Sequence, residues 1–269
     1  MATTPGGPMF DSQRIWITGA SSGIGRALAE RLLARGDRVA LSGRNTAALE
    51  ELAAGRANAL VLPLDVTDRG AVRDASRQLA AALGGLDLVI LNAGTCEYLD
   101  ARHFDVDLVE RVFAANFHGA LHCIDAALPL LRRARIEGGN PLLAATSSAA
   151  AYLPLPRAEA YGASKAALSH FLESLRLDLA DEGIDVSLIH PGFVRTPLTD
   201  RNDFPMPMRV EVDQAAEAIL EGIARRRLDI HFPRRFTLLV KLMGILPAPL
   251  RYRLGRRMTR SDAATENAR

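Results

Sequence analysis

A chain of 269 residues that is 48% hydrophobic, 24% charged and 5% aromatic has the composition of one folded soluble domain, which excludes a disordered or fibrous protein. A net charge of +2 argues against a general nucleic-acid binder, and two cysteines, Cys96 and Cys123, make neither a disulfide framework nor a zinc site. No apolar run reaches the roughly 18 residues of a spanning helix, and the opening MATTPGGPMF lacks a basic and then apolar leader, so a cytoplasmic setting is expected.

The predicted elements alternate along the chain. RIWIT (14–18) reads as a strand ending in a glycine-rich turn, and the spacing of Ile24, Leu28, Leu32 and Leu33 predicts a helix closed by Gly36. RVALS (38–42) predicts a second strand. ALVLPL, a helix from Thr67 to Leu83, LDLVIL, a helix over Asp107 to Leu131 and PLLAAT continue the series; a helix from Glu159 to Asp181 then precedes the strand DVSLI. Strands separated by helices imply parallel pairing with right-handed crossovers, hence a doubly wound α/β sheet with helices on both faces.

The first chemistry lies in the turn after strand one, Thr18 to Gly25 (TGASSGIG). Gly19, Gly23 and Gly25 let the backbone turn tightly and approach a pyrophosphate, with Ser21, Ser22 and Ile24 between them at the opening of a helix whose free N–H groups favour negative charge. The spacing is TGxxxGxG rather than the commoner GxGxxG. A second signal is Arg44, nineteen residues after Gly25 and just past strand two. An acid there would accept from a ribose hydroxyl, whereas arginine pairs with a phosphate bidentately, so NADP(H) is favoured over NAD(H). Asp37 precedes the strand and is badly placed for that task.

The third constellation is YGASK, Tyr161 to Lys165, with Ser148 thirteen residues upstream and Asn116 in the preceding helix. Positions i and i+4 share a helix face, so phenol and ammonium project into one space. A fixed positive charge favours phenolate, and Lys165 is therefore expected to lower the Tyr161 pKa toward a useful value. Of 33 basic residues only Lys165 and Lys241 are lysine, which itself argues for a role.

Taken in order, TGASSGIG, Asp65, NAG at Asn92 to Gly94, Asn116, Ser148, Tyr161, Lys165 and the PG pair Pro191 and Gly192 resemble the short-chain dehydrogenase/reductase family over about residues 12 to 230. The resemblance implies a Rossmann-type sheet of seven strands, a homodimer or homotetramer, and Asn116, Ser148, Tyr161 and Lys165 as the catalytic four. It places Asp65 and Val66 near adenine, Asn92, Ala93 and Gly94 along the cofactor, and Pro191, Gly192, Val194 and Thr196 at its nicotinamide end. It favours Ser148 over Ser147 by its distance from the tyrosine. The implied reaction is interconversion of a carbonyl and an alcohol on a small molecule. A non-catalytic NADP(H)-binding regulator or scaffold is the alternative on the same fold.

Substrate choice falls to the loops TCEYL, AYLPLP and FVRTPLTDRNDFPMPMRV. Phe193, Leu198, Phe204, Met206 and Met208 suggest an adaptable apolar lid over a lipophilic substrate, or packing on the protein itself. The chain divides into a catalytic domain over residues 10–232, a basic apolar extension over 233–260 and a tail over 261–269 that reads as disordered. Residues 225–260 hold eleven lysines or arginines against Asp229 alone. Basic flanks around about fifteen mostly apolar residues suit peripheral contact with an anionic membrane, an oligomer interface or a cover over the pocket.

Overall fold

The computed structural model describes residues 12–201 and 205–256. Phe204, the opening decapeptide and the tail over 261–269 lie outside them. Seven strands form one parallel sheet: β1 (Arg14–Thr18), β2 (Arg38–Ser42), β3 (Ala59–Val61), β4 (Leu88–Leu91), β5 (Leu142–Thr146), β6 (Asp185–Pro191) and β7 (Asp229–Phe232), in the order β3-β2-β1-β4-β5-β6-β7. The strands are buried on both faces, which is why they read as continuous apolar runs rather than alternating ones.

The crossovers supply the covering layers. α1 (Gly23–Arg35), α2 (Thr46–Ala53) and α7 (Val212–Ala224) cover one face; α3 (Arg69–Leu83), α5 (Gly119–Ile136) and α6 (Glu159–Ala180) cover the other, with α4 (Val106–Phe113) packed on α6. Side chains alternate between the two cores: Ile15 and Ile17 of β1 enter the first, and Trp16 enters the second. α2 and α7 carry no feature that the sequence reading isolated. Asn45, whose side chain accepts from the Ala48 N–H at 3.1 Å, starts α2, and a capping box of Glu211 and Gln214 starts α7.

Three boundaries differ from expectation for local reasons. α3 starts at Arg69, because Asp68 leaves the helix to accept from Ala71 at 3.0 Å. The strand expected over ALVLPL is regular only to Val61, since Pro63 has no N–H to give; bonds from Leu62 to Leu41 and from Leu64 to Gly43 carry the extended chain on to Asp65. The helix expected from Asp107 to Leu131 is broken by a π-helical turn, Ala114–His118, between α4 and α5. The residue that such a turn inserts redirects the side chains around it.

The last strand leads through Pro233 into α8 (Arg234–Gly244), and the backbone is helical again over residues 248–256. The extension is therefore seated on the body at its start, with Thr237 and Val240 buried. No helix among the described residues is long and apolar enough to cross a membrane.

The single tryptophan ties β1 to β2: Trp16 and Ser42 are both buried, and the indole Nε1–H donates to the Ser42 hydroxyl at 2.9 Å. Ser42→Ala strands that donor and is expected to cost about 1–3 kcal/mol. Urea denaturation measures the loss. Adding Trp16→Phe removes the orphaned N–H and restores part of it; no loss in the single variant contradicts the assignment.

Candidate active site

The direction of winding reverses between β1 and β4, where an open α/β sheet has its crevice at the carboxyl ends of the strands. A cleft of about 710 Å³ opens there. Every residue assigned to catalysis or cofactor binding from the sequence lines it except Gly25 and Asn116, which pack against Gly19 and Gly94 of its wall.

One end of the cleft is a helix N-terminus left open. α2, α3 and α4 are each capped by an Asn or Asp side chain, but Ser22 makes no side-chain cap for α1, and no acid occupies the first turn. Its free N–H groups and dipole face the cleft. Gly25 holds the turn closed: a Cβ there would lie 2.2 Å from the Gly19 carbonyl oxygen. The Thr18 hydroxyl, which the sequence reading passed over, accepts from the N–H groups of Asn92 and Ala93, each at 3.1 Å, and so joins this turn to the end of β4.

Arg44 is exposed at the rim, next to Asp65. Burial works to raise the Asp65 pKa, but the Thr67 N–H and hydroxyl, at 2.9 and 2.8 Å, together with the charge of Arg44, hold it below the ordinary value. Asp37 lies outside the cleft, buried against the Gln13 N–H and Arg35.

At the other end, β5 and α6 bring Ser148, Tyr161 and Lys165 together. The Lys165 side chain is buried, and its Nζ donates to the Thr146 carbonyl at 2.7 Å, with no carboxylate in hydrogen-bond reach among the described residues. Burial pushes its pKa down to about 8, while Cys96 pulls the other way. For Tyr161, burial and the neighbouring Cys96 raise the pKa, and a hydrogen bond with Ser148 lowers it without prevailing. The direction is opposite to that expected from the sequence: desolvation of the phenolate is the largest influence, and it favours the protonated phenol.

Asn116 reaches this corner because the π-helical turn redirects it. Its amide exchanges two hydrogen bonds with the Thr95 backbone, at 2.8 and 2.9 Å, and donates to Ser164 at 3.0 Å. Gly94 packs beneath, where a Cβ would lie 2.9 Å from Asn116 Oδ1 and 3.3 Å from Lys165 Nζ. Ser147 also borders the cleft, but its buried hydroxyl is turned into α6, donating to the Lys165 carbonyl at 3.1 Å. Of the expected lid, Leu198 lines the cleft beside Pro197; Phe193 packs instead on Phe236 at 5.3 Å, and Met208 is exposed.

Behind the site runs a second polar chain that the sequence reading missed. Ser169 donates to the Lys165 carbonyl at 2.9 Å and contacts His190 Nε2 at 3.1 Å; His190 Nδ1 meets Asp229 at 2.8 Å. Asp229 also accepts from Tyr152 and from Lys241 of α8. Serine, histidine and acid stand in the order of a hydrolytic relay, but Ser169 is buried and its proton is committed to a carbonyl, so the chain is a strut. The scarcity of lysine was the available signal: both lysines of this chain sit on the same framework.

Comparison with known proteins agrees with this geometry. A sequence model of the family described as short chain dehydrogenase matches residues 13–204. An uncharacterised oxidoreductase of Myxococcus xanthus is 40% identical over 238 residues, covering 87% of this chain and 92% of that protein. A 2-dehydro-3-deoxy-L-rhamnonate dehydrogenase (NAD(+)) of a Sphingomonas species is 34% identical over 69% of this chain and 73% of its own length. A crystal structure of a short chain dehydrogenase/reductase from Burkholderia phymatum in complex with NAD superposes with a TM-score of 0.78 at 25% identity, over 87% of this chain and 94% of that one.

The strut carries a pH signature. Burial works to raise the Asp229 pKa, but hydrogen bonds and charge from His190 and Lys241 hold it well below the usual carboxylate range. A carboxylate depressed in the folded state stabilises fully above its unfolded pKa of about 3.9 and loses that contribution as the pH falls from there through the folded value. Asp229→Asn is expected to cost about 1.5 kcal/mol near pH 7, the low end for bonds to charged groups, because the side chain is 36% exposed. Denaturation at pH 7 and pH 3 checks the sign: the gap from wild type narrows in acid, and a gap that widens contradicts the assignment.

Proposed function

The chain belongs to the short-chain dehydrogenase/reductase family, whose members are oxidoreductases that use a nicotinamide cofactor at CH–OH and C=O carbons. From that premise we propose that it interconverts a lipophilic carbonyl compound and its secondary alcohol with NADP(H), and that Tyr161 donates and accepts the proton. The observation that carries this reading is the meeting of Ser148, Tyr161 and Lys165 on one cleft wall, braced by Asn116, opposite an uncapped helix N-terminus.

The residues fit a dinucleotide. The open end of α1 suits a pyrophosphate, with Gly19, Ser21, Ser22, Gly23 and Ile24 around it. Asp65 and Val66 would hold adenine, Asn92 to Gly94 the middle, and Pro191, Gly192, Val194 and Thr196 the nicotinamide end. When bound, the nicotinamide supplies or takes up the hydride.

The chain's own residues handle the proton and the oxygen. In reduction the Tyr161 hydroxyl donates to the carbonyl oxygen, while Ser148 holds that oxygen as negative charge develops. Burial and the neighbouring Cys96 favour the protonated phenol of the half-buried Tyr161, the form this direction needs. Lys165, a cation, does not hold that proton in place; it stabilises the phenolate once it forms. Asn116 fixes the backbone at Thr95 and keeps the corner beside Lys165 open.

Cofactor preference rests on Arg44, because the compared structure holds NAD and the Sphingomonas enzyme is named for NAD(+). Here β2 ends in Ser42, a buried neutral side chain, and the first charged group beyond it is cationic. A lipophilic substrate is supported by Pro197 and Leu198 at the nicotinamide end of the cleft. Multimeric assembly is part of the same proposal.

Two measurements test it. Calorimetry is expected to give tighter binding of NADPH than of NADH, with a preference that Arg44→Ala reduces by roughly tenfold to a hundredfold, the worth of one charged phosphate contact. Equal binding of both, unchanged by the substitution, removes the NADP assignment. Tyr161→Phe is expected to lower kcat with a lipophilic ketone by about 10²–10⁴-fold while KM changes little; undiminished turnover would exclude Tyr161 as the proton donor.

A further inference from the structure

Six exposed large apolar side chains fall within fifteen residues at the end of the described chain: Leu238, Leu239, Leu242, Ile245, Leu250 and Tyr252. Leu238, Leu239 and Leu242 recur at helical spacing on the outer side of α8 and Ile245 follows at its C-cap, with Leu242 58% and Ile245 79% exposed. The inner side carries Thr237, Val240 and Lys241, the last paired with Asp229. This inverts the usual arrangement of a surface helix, since the ammonium faces the protein and the leucines face outward. Thr237, which contacts His231 at 2.7 Å, and Lys241 fix the rotation of the helix, so the leucines cannot turn inward.

We propose that this face docks on an anionic membrane surface, with α8 and residues 248–256 lying in the plane of the interface. Arg234, Arg235 and Arg253 are exposed around the patch, within the segment 225–260 that is net +10 in a chain of net +2. Apolar side chains ringed by arginine match acyl chains beneath anionic headgroups. A second copy brought to the same face would set two such charged segments against each other, which argues for the lipid surface over self-association. The patch adjoins the substrate end of the cleft, because Phe236 of α8 packs on Phe193, next to Gly192 in the cleft wall. Delivery of substrate from the bilayer would follow; that consequence rests on the lipophilic reading above, whereas docking does not.

Flotation of the full chain with vesicles of phosphatidylglycerol and phosphatidylcholine, against phosphatidylcholine alone, is the test. Wild type is expected to float with the anionic vesicles and to bind neutral ones about tenfold or more less tightly. The pair Leu238→Asp with Leu242→Asp and the pair Arg234→Ala with Arg235→Ala should each weaken anionic binding by a similar factor, with NADPH binding by calorimetry unchanged. Equal soluble fractions with and without anionic vesicles overturn the proposal. So does a lipid-free oligomer, seen by sedimentation velocity, that the leucine pair dissociates, since the face then belongs to a second copy. Retained NADPH binding in either case leaves the oxidoreductase reading standing.

Discussion

An ammonium group taken out of water must recover much of its solvation from the protein, and the buried Lys165 does so on one backbone carbonyl, that of Thr146, 2.7 Å away. Much of the surrounding structure serves to keep that geometry. Ser147 and Ser169 both donate to the carbonyl of Lys165 itself, which fixes this turn of α6 against β5. Gly94 gives the Nζ room, and Asn116 closes the far side with three hydrogen bonds. The cost of burial shows as a pKa pushed down to about 8. A cation kept at that cost, with no carboxylate in hydrogen-bond reach among the described residues, is free to act on the nearby phenol.

The fold explains why this corner faces the dinucleotide end. All seven strands are parallel, so their carboxyl ends, with the turns that follow, lie at one edge of the sheet. The β1 turn, Asn92 after β4, Ser148 after β5 and Pro191 at the end of β6 converge there without any long-range device. The strut from Ser169 through His190 to Asp229 then extends the framework to β7 and α8. The C-terminal helix is thus part of the scaffold of the site, not an appendage to it.

The parallel sheet and six of its strands, β1 to β6, were legible because each is a short apolar run bounded by a helix or turn signal; the count of seven came from the family resemblance, and β7 (Asp229–Phe232) had no such mark. The company of Tyr161 and Lys165 was legible from their four-residue spacing alone. Other features depend on contacts between distant segments, which periodicity does not encode. The π-helical turn that aims Asn116 left no mark in AANFH, and Asp229 looked like the lone acid of a basic tail until β7 set it beside His190. The Tyr161 pKa was misjudged in direction, since one charge was weighed without the desolvation that only packing reveals. Lys241 was noticed for its rarity, and its partner could not be named.

The central claim is that the buried Lys165 and Tyr161 form a proton-transfer site beside a bound nicotinamide. Single-turnover oxidation of enzyme-saturating NADPH by excess lipophilic ketone, followed by loss of the reduced nicotinamide absorbance, tests it most directly when wild type is compared with Lys165→Met. The account predicts that wild type consumes the cofactor and that the variant, still folded and loaded with NADPH, does so more slowly by about 10²-fold or more. Equal rates in the two proteins would contradict it.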